Sequence, residues 1–150
     1  MRTYIKFLIL LIPLINSIKA VNAQDVLDTK LKTVEVTYNK THKAIKFFFD
    51  RYNCILSRGV SEIPIMEVKI VYEYTSTWGT DSLDFKHTVH ISCIKFTDDC
   101  IFEPTNPKKF KKISGSYVGF DTKAEAFDFL NKFNGFIAAA KQLGFCEKKN

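Results

Sequence analysis

Residues 122–144 read TKAEAFDFLNKFNGFIAAAKQLG and carry the clearest local signal in the chain. Thr122 and Glu125 have the spacing of a capping box, in which the two side chains satisfy backbone N–H groups at the start of a helix. Apolar residues then recur every three or four positions, which is the period of one helical face. Gly144 suits the end of a helix, because glycine adopts the left-handed conformation without steric cost. The stretch therefore predicts an amphipathic helix.

The residues before this helix alternate in the manner of β-strands. Ile65–Thr75 and Leu83–Phe96 are rich in β-branched and aromatic residues with a period of two, and we expect them to form an antiparallel hairpin. Asp98-Asp99 is a turn signal, and Cys100–Phe102 follows it as a short returning strand. Phe110–Phe120 is predicted as the last strand.

Two further elements are predicted closer to the N-terminus. Leu31–Tyr38 (LKTVEVTY) alternates with a period of two and is predicted as a half-buried strand. His42–Leu56 (HKAIKFFFDRYNCIL) has apolar residues at helical spacing and is predicted as a helix that ends before Gly59, although its FFF run would also suit a strand.

These elements predict the order β-α-β-β-β-β-α. An antiparallel sheet of about four to five strands, with two helices packed on one face, buries this pattern most simply. The predicted class is therefore α+β. Residues 24–150 have the length of a single domain, and the 14 phenylalanines of the chain supply apolar bulk for a core.

Residues 1–23 have the pattern of a secretory signal peptide. Arg2 and Lys6 precede the unbroken apolar run Phe7–Ile15, and Val21-Asn22-Ala23 provides small residues for cleavage before Gln24. The apolar run is shorter than the roughly 20 residues that a membrane-spanning helix needs. We expect a protein that is exported to a periplasmic or extracellular location. The alternative is an uncleaved N-terminal anchor.

The charge of the chain gives little support for nucleic-acid binding. The full chain carries +6, and removal of residues 1–23 takes away Arg2, Lys6 and Lys19 but no acid, which leaves +3. A charge of this size is ordinary for solubility. We expect no nucleic-acid partner.

Four cysteines remain after cleavage, and an exported chain with an even number of cysteines predicts disulfides. Four cysteines allow three pairings. We favour Cys93–Cys100 across the turn around Asp98, together with Cys54–Cys146, which would join the ends of the two predicted helices.

The stretch 87–104 (HTVHISCIKFTDDCIFEP) could instead be read as a metal or catalytic site. However, His87 and His90 lie three residues apart on a predicted strand, so their side chains point to opposite faces and cannot bind one metal ion. Cys93 and Cys100 are also too far apart in sequence for a redox C-x-x-C motif. We therefore expect neither a metal nor a cofactor.

Trp78 is the strongest candidate for binding a partner. It is the only tryptophan and lies between two predicted strands in TSTWGTDS, beside Thr77 and Asp81. An exposed tryptophan in such a loop can stack on a sugar or enter a pocket of a protein partner. The alternative is that Trp78 folds back onto the sheet and covers it.

A lysine cluster is the second candidate surface, formed by Lys108, Lys109, Lys111 and Lys112. These residues could contact acidic glycans or lipid headgroups. The alternative, which we favour, is that they protect an edge strand from pairing with other chains.

No motif of a known catalytic mechanism is present, and the chain resembles no family that we recognise. The predicted function is an exported, non-enzymatic module that binds a protein or a glycan. A membrane-surface protein that acts through the lysine cluster is possible but not favoured. The other alternative is a small hydrolase that uses two loop carboxylates, for which the candidates are Asp81, Asp84, Asp98, Asp99 and Glu103.

Overall fold

The computed structural model describes residues 22–74, 87–95, 98–106 and 109–146. In these residues the chain forms a helix, eight strands and a second helix. The elements are α1 (residues 22–39), β1 (Phe47–Asp50), β2 (Ile55–Arg58), β3 (Ser61–Pro64), β4 (Val68–Tyr74), β5 (His87–Cys93), β6 (Ile101–Asn106), β7 (Lys109–Ile113), β8 (Gly115–Phe120) and α2 (Lys123–Gln142).

The strands form two antiparallel sheets. One has five strands in the order β1-β2-β3-β6-β7, and the other has three in the order β4-β5-β8. Helix α2 packs against all three strands of the smaller sheet. Phe136 of α2 contacts Phe49 of β1 edge to face, with ring centroids 5.2 Å apart, so the same helix also contacts the larger sheet. The α+β class, the two helices and the antiparallel pairing are therefore confirmed, whereas the strands divide between two sheets.

The predicted strand Leu31–Tyr38 is wrong, because these residues belong to helix α1. Leu27, Val34 and Tyr38 are buried and Leu31 packs against the core, so the buried positions follow the helical spacing of four, three and four residues. The period-2 pattern of the short window 31–38 suggested a strand. Including Leu27 in the window would have revealed the helical period.

The predicted helix His42–Leu56 is also wrong, because it contains β1 and the start of β2. Phe47 and Phe49 are buried whereas Phe48 is exposed, which is the alternation of a strand with one face in the core. Between the strands, Asp50 accepts backbone hydrogen bonds from Tyr52 and Asn53 at 2.9 and 3.2 Å, which closes a turn. This local hydrogen bonding breaks the helix that apolar spacing alone suggested.

Smaller differences occur at two other positions. The predicted strand Phe110–Phe120 is two strands, β7 and β8, separated at Ser114. Gly59 does not end a helix but lies in the two-residue turn between β2 and β3, where its φ of +62° favours glycine.

The predicted C-terminal helix is confirmed together with both of its ends. The Thr122 hydroxyl accepts a hydrogen bond from the Glu125 backbone N–H at 3.2 Å, and the Glu125 carboxylate accepts one from the Thr122 backbone N–H at 3.1 Å. Gly144 follows the helix with φ +71°. Five residues of α2 are fully buried, namely Ala126, Phe129, Phe133, Phe136 and Ala140.

Glu35 joins α1 to β1 and makes stability depend on pH. Its carboxylate accepts a hydrogen bond from the Phe47 backbone N–H at 2.9 Å and pairs with Lys32. The hydrogen bond from Lys32, followed by that from Phe47, lowers the pKa of Glu35. The folded protein therefore binds fewer protons at this site than the unfolded chain, so the carboxylate stabilises the fold above the unfolded pKa of about 4.3.

We expect this contribution to disappear as the pH falls through and below that value. Glu35→Gln keeps an oxygen that can accept the Phe47 hydrogen bond, but it cannot titrate in this range. The difference in the free energy of unfolding between the native protein and Glu35→Gln, measured by urea denaturation, should shrink between pH 7 and pH 3. A difference that stays constant over this range would contradict the prediction.

Candidate functional site

Trp78, Thr77 and Asp81 lie outside the described residues, as does Lys108. Their roles remain predictions. The described chain nevertheless fixes where the segment 75–86 begins and ends, because Tyr74 and His87 are directly opposite each other in the register of β4 and β5.

The remaining lysines of the cluster belong to an edge strand. Lys109, Lys111 and Lys112 lie on β7, the last strand of the five-stranded sheet. Lys111 and Lys112 are exposed, and the Lys112 ammonium lies 4.9 Å from the centroid of the Phe102 ring on the neighbouring strand. Lysines on an edge strand discourage pairing with other chains. This position favours the protective role over a dedicated anion-binding surface.

The described loop carboxylates divide between two places. Asp98 and Asp99 are exposed and line a hollow of about 590 Å³ together with Glu67. Glu103 instead accepts a hydrogen bond of 2.9 Å from the Ser116 hydroxyl, and its carboxylate lies 4.0 Å from the Arg58 guanidinium. Among the candidates that the structure describes, only Asp98 and Asp99 therefore share one hollow.

Both predicted disulfides are present. Cys93–Cys100 and Cys54–Cys146 have Cα–Cα distances of 5.9 and 5.5 Å, within the range for a disulfide. The second bridge joins the turn before β2 to the turn that follows α2, rather than two helix ends, because residues 42–56 are not helical. The cysteines of the stretch 87–104 therefore form a disulfide that joins the end of β5 to the start of β6.

Among the described residues, no group of three or more histidine, cysteine, aspartate or glutamate side chains could hold a metal ion.

His87 and His90 lie on opposite faces of the three-stranded sheet, as predicted. On the outer face, the His90 Nδ1 atom is 2.9 Å from a Glu73 carboxylate oxygen, and the imidazole stacks on Tyr117 with ring centroids 4.2 Å apart. A Cβ atom at Gly115 would lie only 2.5 Å from His90 Nε2, so glycine makes room for this ring. Burial, followed by the charge of Glu73, raises the pKa of Tyr117.

On the inner face, four rings of the described residues lie together at the end of the sheet that carries Tyr74 and His87. We call Tyr72, Tyr74, His87 and Phe127 the aromatic cluster. A hydrogen bond of 2.8 Å joins the Tyr72 hydroxyl to His87 Nδ1. The Tyr72 ring lies 4.6 Å from that of Phe127 and 6.1 Å from that of His87, and His87 lies 5.5 Å from Tyr74.

The aromatic cluster is partly open to solvent. Tyr74 is 61% exposed and Phe127 is 37% exposed, whereas Tyr72 and His87 are half-buried. Lys123, the first residue of α2, lies beside the rings, with its ammonium 5.6 Å from the Phe127 centroid and 6.0 Å from the Tyr72 centroid. Both distances are within the range of cation–π attraction. In the described part of the chain, the site thus combines ring faces, phenol and imidazole groups and the positive charge of Lys123.

Sequence reasoning missed the aromatic cluster because its residues come from β4, β5 and the first turns of α2. The available signal was the strand phase, since Tyr72 and Tyr74 share a face of β4, and the hairpin register places His87 beside them. The contribution of Phe127 and Lys123 depends on how α2 packs, which the sequence did not reveal.

No helix in the described part of the chain is long and apolar enough to cross a membrane. Comparison of the chain with models of protein families, with curated proteins and with solved structures found no match.

Proposed function

We propose that this chain is an exported, non-enzymatic module that binds another macromolecule through the aromatic cluster. The observation that carries the proposal is the group of four neighbouring rings at one end of the three-stranded sheet, of which Tyr74 is well exposed and Phe127 partly exposed. Partly exposed aromatic rings with polar tips are enriched in binding interfaces, because they bury a large apolar area and still satisfy their polar groups.

The disulfides support the exported location within this proposal. The four cysteines of the two bridges are buried in the fold. Structural disulfides persist mainly in oxidising compartments. The same proposal includes residues 1–23 as a signal peptide that is removed by cleavage before Gln24 during export.

Trp78 is proposed as a further contact of this module. Its segment is joined directly to Tyr74 and His87, two members of the aromatic cluster. The hydrolase and the membrane-surface alternatives have weaker support, since Asp98 and Asp99 are exposed and the described lysines lie on an edge strand.

Site-specific photo-crosslinking tests the proposal. A photoreactive amino acid is placed at position 74 of the full chain, and in a second variant at position 117, where the native tyrosine is 45% exposed on the opposite face. After export by the producing cells and irradiation, position 74 should give a discrete macromolecular adduct and position 117 should not. Trp78→Ala should weaken the adduct at position 74. Equal adducts from both positions, or none from either, would contradict the proposal.

A further inference from the structure

We propose that the aromatic cluster binds carbohydrate and that it prefers sugars carrying a negative charge. This inference rests on the proposed function and specifies its ligand. The sugar would stack on the exposed rings, while its hydroxyl and acidic groups would meet the polar groups at the edge of the cluster.

The shape of the cluster favours an extended, amphipathic ligand. Its rings follow one another from Phe127 through Tyr72 and His87 to Tyr74, with centroid separations of 4.6, 6.1 and 5.5 Å. The Tyr72 and His87 planes are inclined by only 19°. A pyranose ring has one face rich in C–H groups, which packs on an aromatic face, and an edge of hydroxyl groups, which need hydrogen-bond partners.

The cluster supplies such partners beside the ring faces. Tyr74 carries a phenol group on the most exposed ring, and Tyr72 and His87 already share a hydrogen bond that a hydroxyl ligand could extend. Tyrosine hydroxyls both donate and accept hydrogen bonds, and imidazole can do the same. A purely apolar side chain of a protein partner would offer the Tyr74 hydroxyl no hydrogen bond, which is costly in a buried contact.

Lys123 is the basis for the preference for negative charge. A lysine in the first turn opposes the positive end of the helix dipole, where an acidic residue would be more favourable. Thr122 and Glu125 already complete the helix cap, so Lys123 has no capping role. Its ammonium lies instead over the Tyr72 and Phe127 rings, where it can pair with a carboxylate or sulfate of a ligand that stacks on the exposed Tyr74 end of the cluster.

Titration calorimetry with defined glycans tests the inference. The probes are oligosaccharides of hyaluronan and polygalacturonate, which carry carboxylates, and cellohexaose and chitohexaose, which do not. The native protein should bind at least one acidic probe. Tyr74→Ala should weaken that binding by about tenfold through loss of ring contact. Tyr117→Ala, the matched control on the opposite face, should leave the affinity unchanged.

Lys123→Ala tests the contribution of the positive charge to binding separately from that of the rings. It should weaken binding of the acidic probe several-fold and remove most of its salt dependence. Binding of any neutral probe should not change. Circular dichroism and thermal melting of each variant should match those of the native protein, since all three replaced side chains are exposed.

Three outcomes would overturn the inference: no probe binds, Tyr117→Ala weakens binding as much as Tyr74→Ala, or the neutral probes bind more tightly than the acidic ones. Failure of the carbohydrate inference is distinguishable from failure of the proposed function. If no glycan binds but the crosslink from position 74 joins a protein, the ligand class is wrong and the binding module stands. If both experiments are negative, both proposals fail.

Discussion

Replacing Cys54 and Cys146 together by alanine is expected to lower the free energy of unfolding by about 4–5 kcal/mol at 25 °C. The two cysteines are 92 residues apart in sequence, so their bridge removes a large amount of conformational freedom from the unfolded chain. Both residues are buried, and alanine avoids placing an unpaired hydroxyl group in the core. Urea denaturation measures the change, and the m-value should rise because the unfolded chain without the bridge exposes more surface.

The second bridge provides the matched control. Replacing Cys93 and Cys100 by alanine removes the same chemical groups, but the closed loop spans only seven positions in sequence. This bridge restricts the unfolded chain less, so its removal should lower the free energy of unfolding by only about 2–3 kcal/mol. Equal losses for the two double variants would show that loop length does not govern the stabilisation in this protein.

The second large effect is expected for Phe129→Ala, which should lower the free energy of unfolding by about 3–5 kcal/mol. Phe129 is fully buried at the point where three elements meet. Its ring contacts Tyr38 of α1, Phe120 of β8 and Phe133 of α2, with centroid distances of 6.1, 5.3 and 5.5 Å. Removing the ring leaves a cavity that the surrounding rigid aromatic side chains cannot fill.

Phe127→Ala is the appropriate comparison for that measurement. It makes the same chemical change on the same helix, two residues earlier, but Phe127 is 37% exposed. Its cost to the free energy of unfolding should be about 1 kcal/mol, because less apolar area is lost and solvent can fill the space. A similar cost for both variants in urea denaturation would mean that Phe129 is not the centre of the core.

The parts of the fold that could be predicted from the sequence are those with strong local signals. Helix α2 has a capping box, a regular apolar face and a terminal glycine, and each of these acts within a few residues. Strands β4 and β5 have a long period-2 pattern that tertiary packing did not override. The cysteine pairing followed from an even number of cysteines and one short turn.

The prediction failed where local pattern and tertiary packing disagreed. Residues 31–38 alternate over one short window, but Leu27 and Tyr38 place them on a buried helical face that continues on both sides. The FFF run 47–49 suited both a helix and a strand, and its outcome depended on pairing with β2. The aromatic cluster could not be assembled from the sequence, because the packing of α2 on the smaller sheet brings Phe127 to Tyr72.

The Cys54–Cys146 bridge also affects how the protein withstands proteolysis. It converts residues 54–146 into a covalent ring, which includes the segment 75–86. A protease that cuts one peptide bond anywhere within this ring opens it without releasing a fragment, since the bridge still joins the two new ends to the rest of the chain. A single cut would release residues only if it fell outside the ring. A nicked molecule would therefore keep its mass under non-reducing conditions and separate into two pieces when the bridge is reduced.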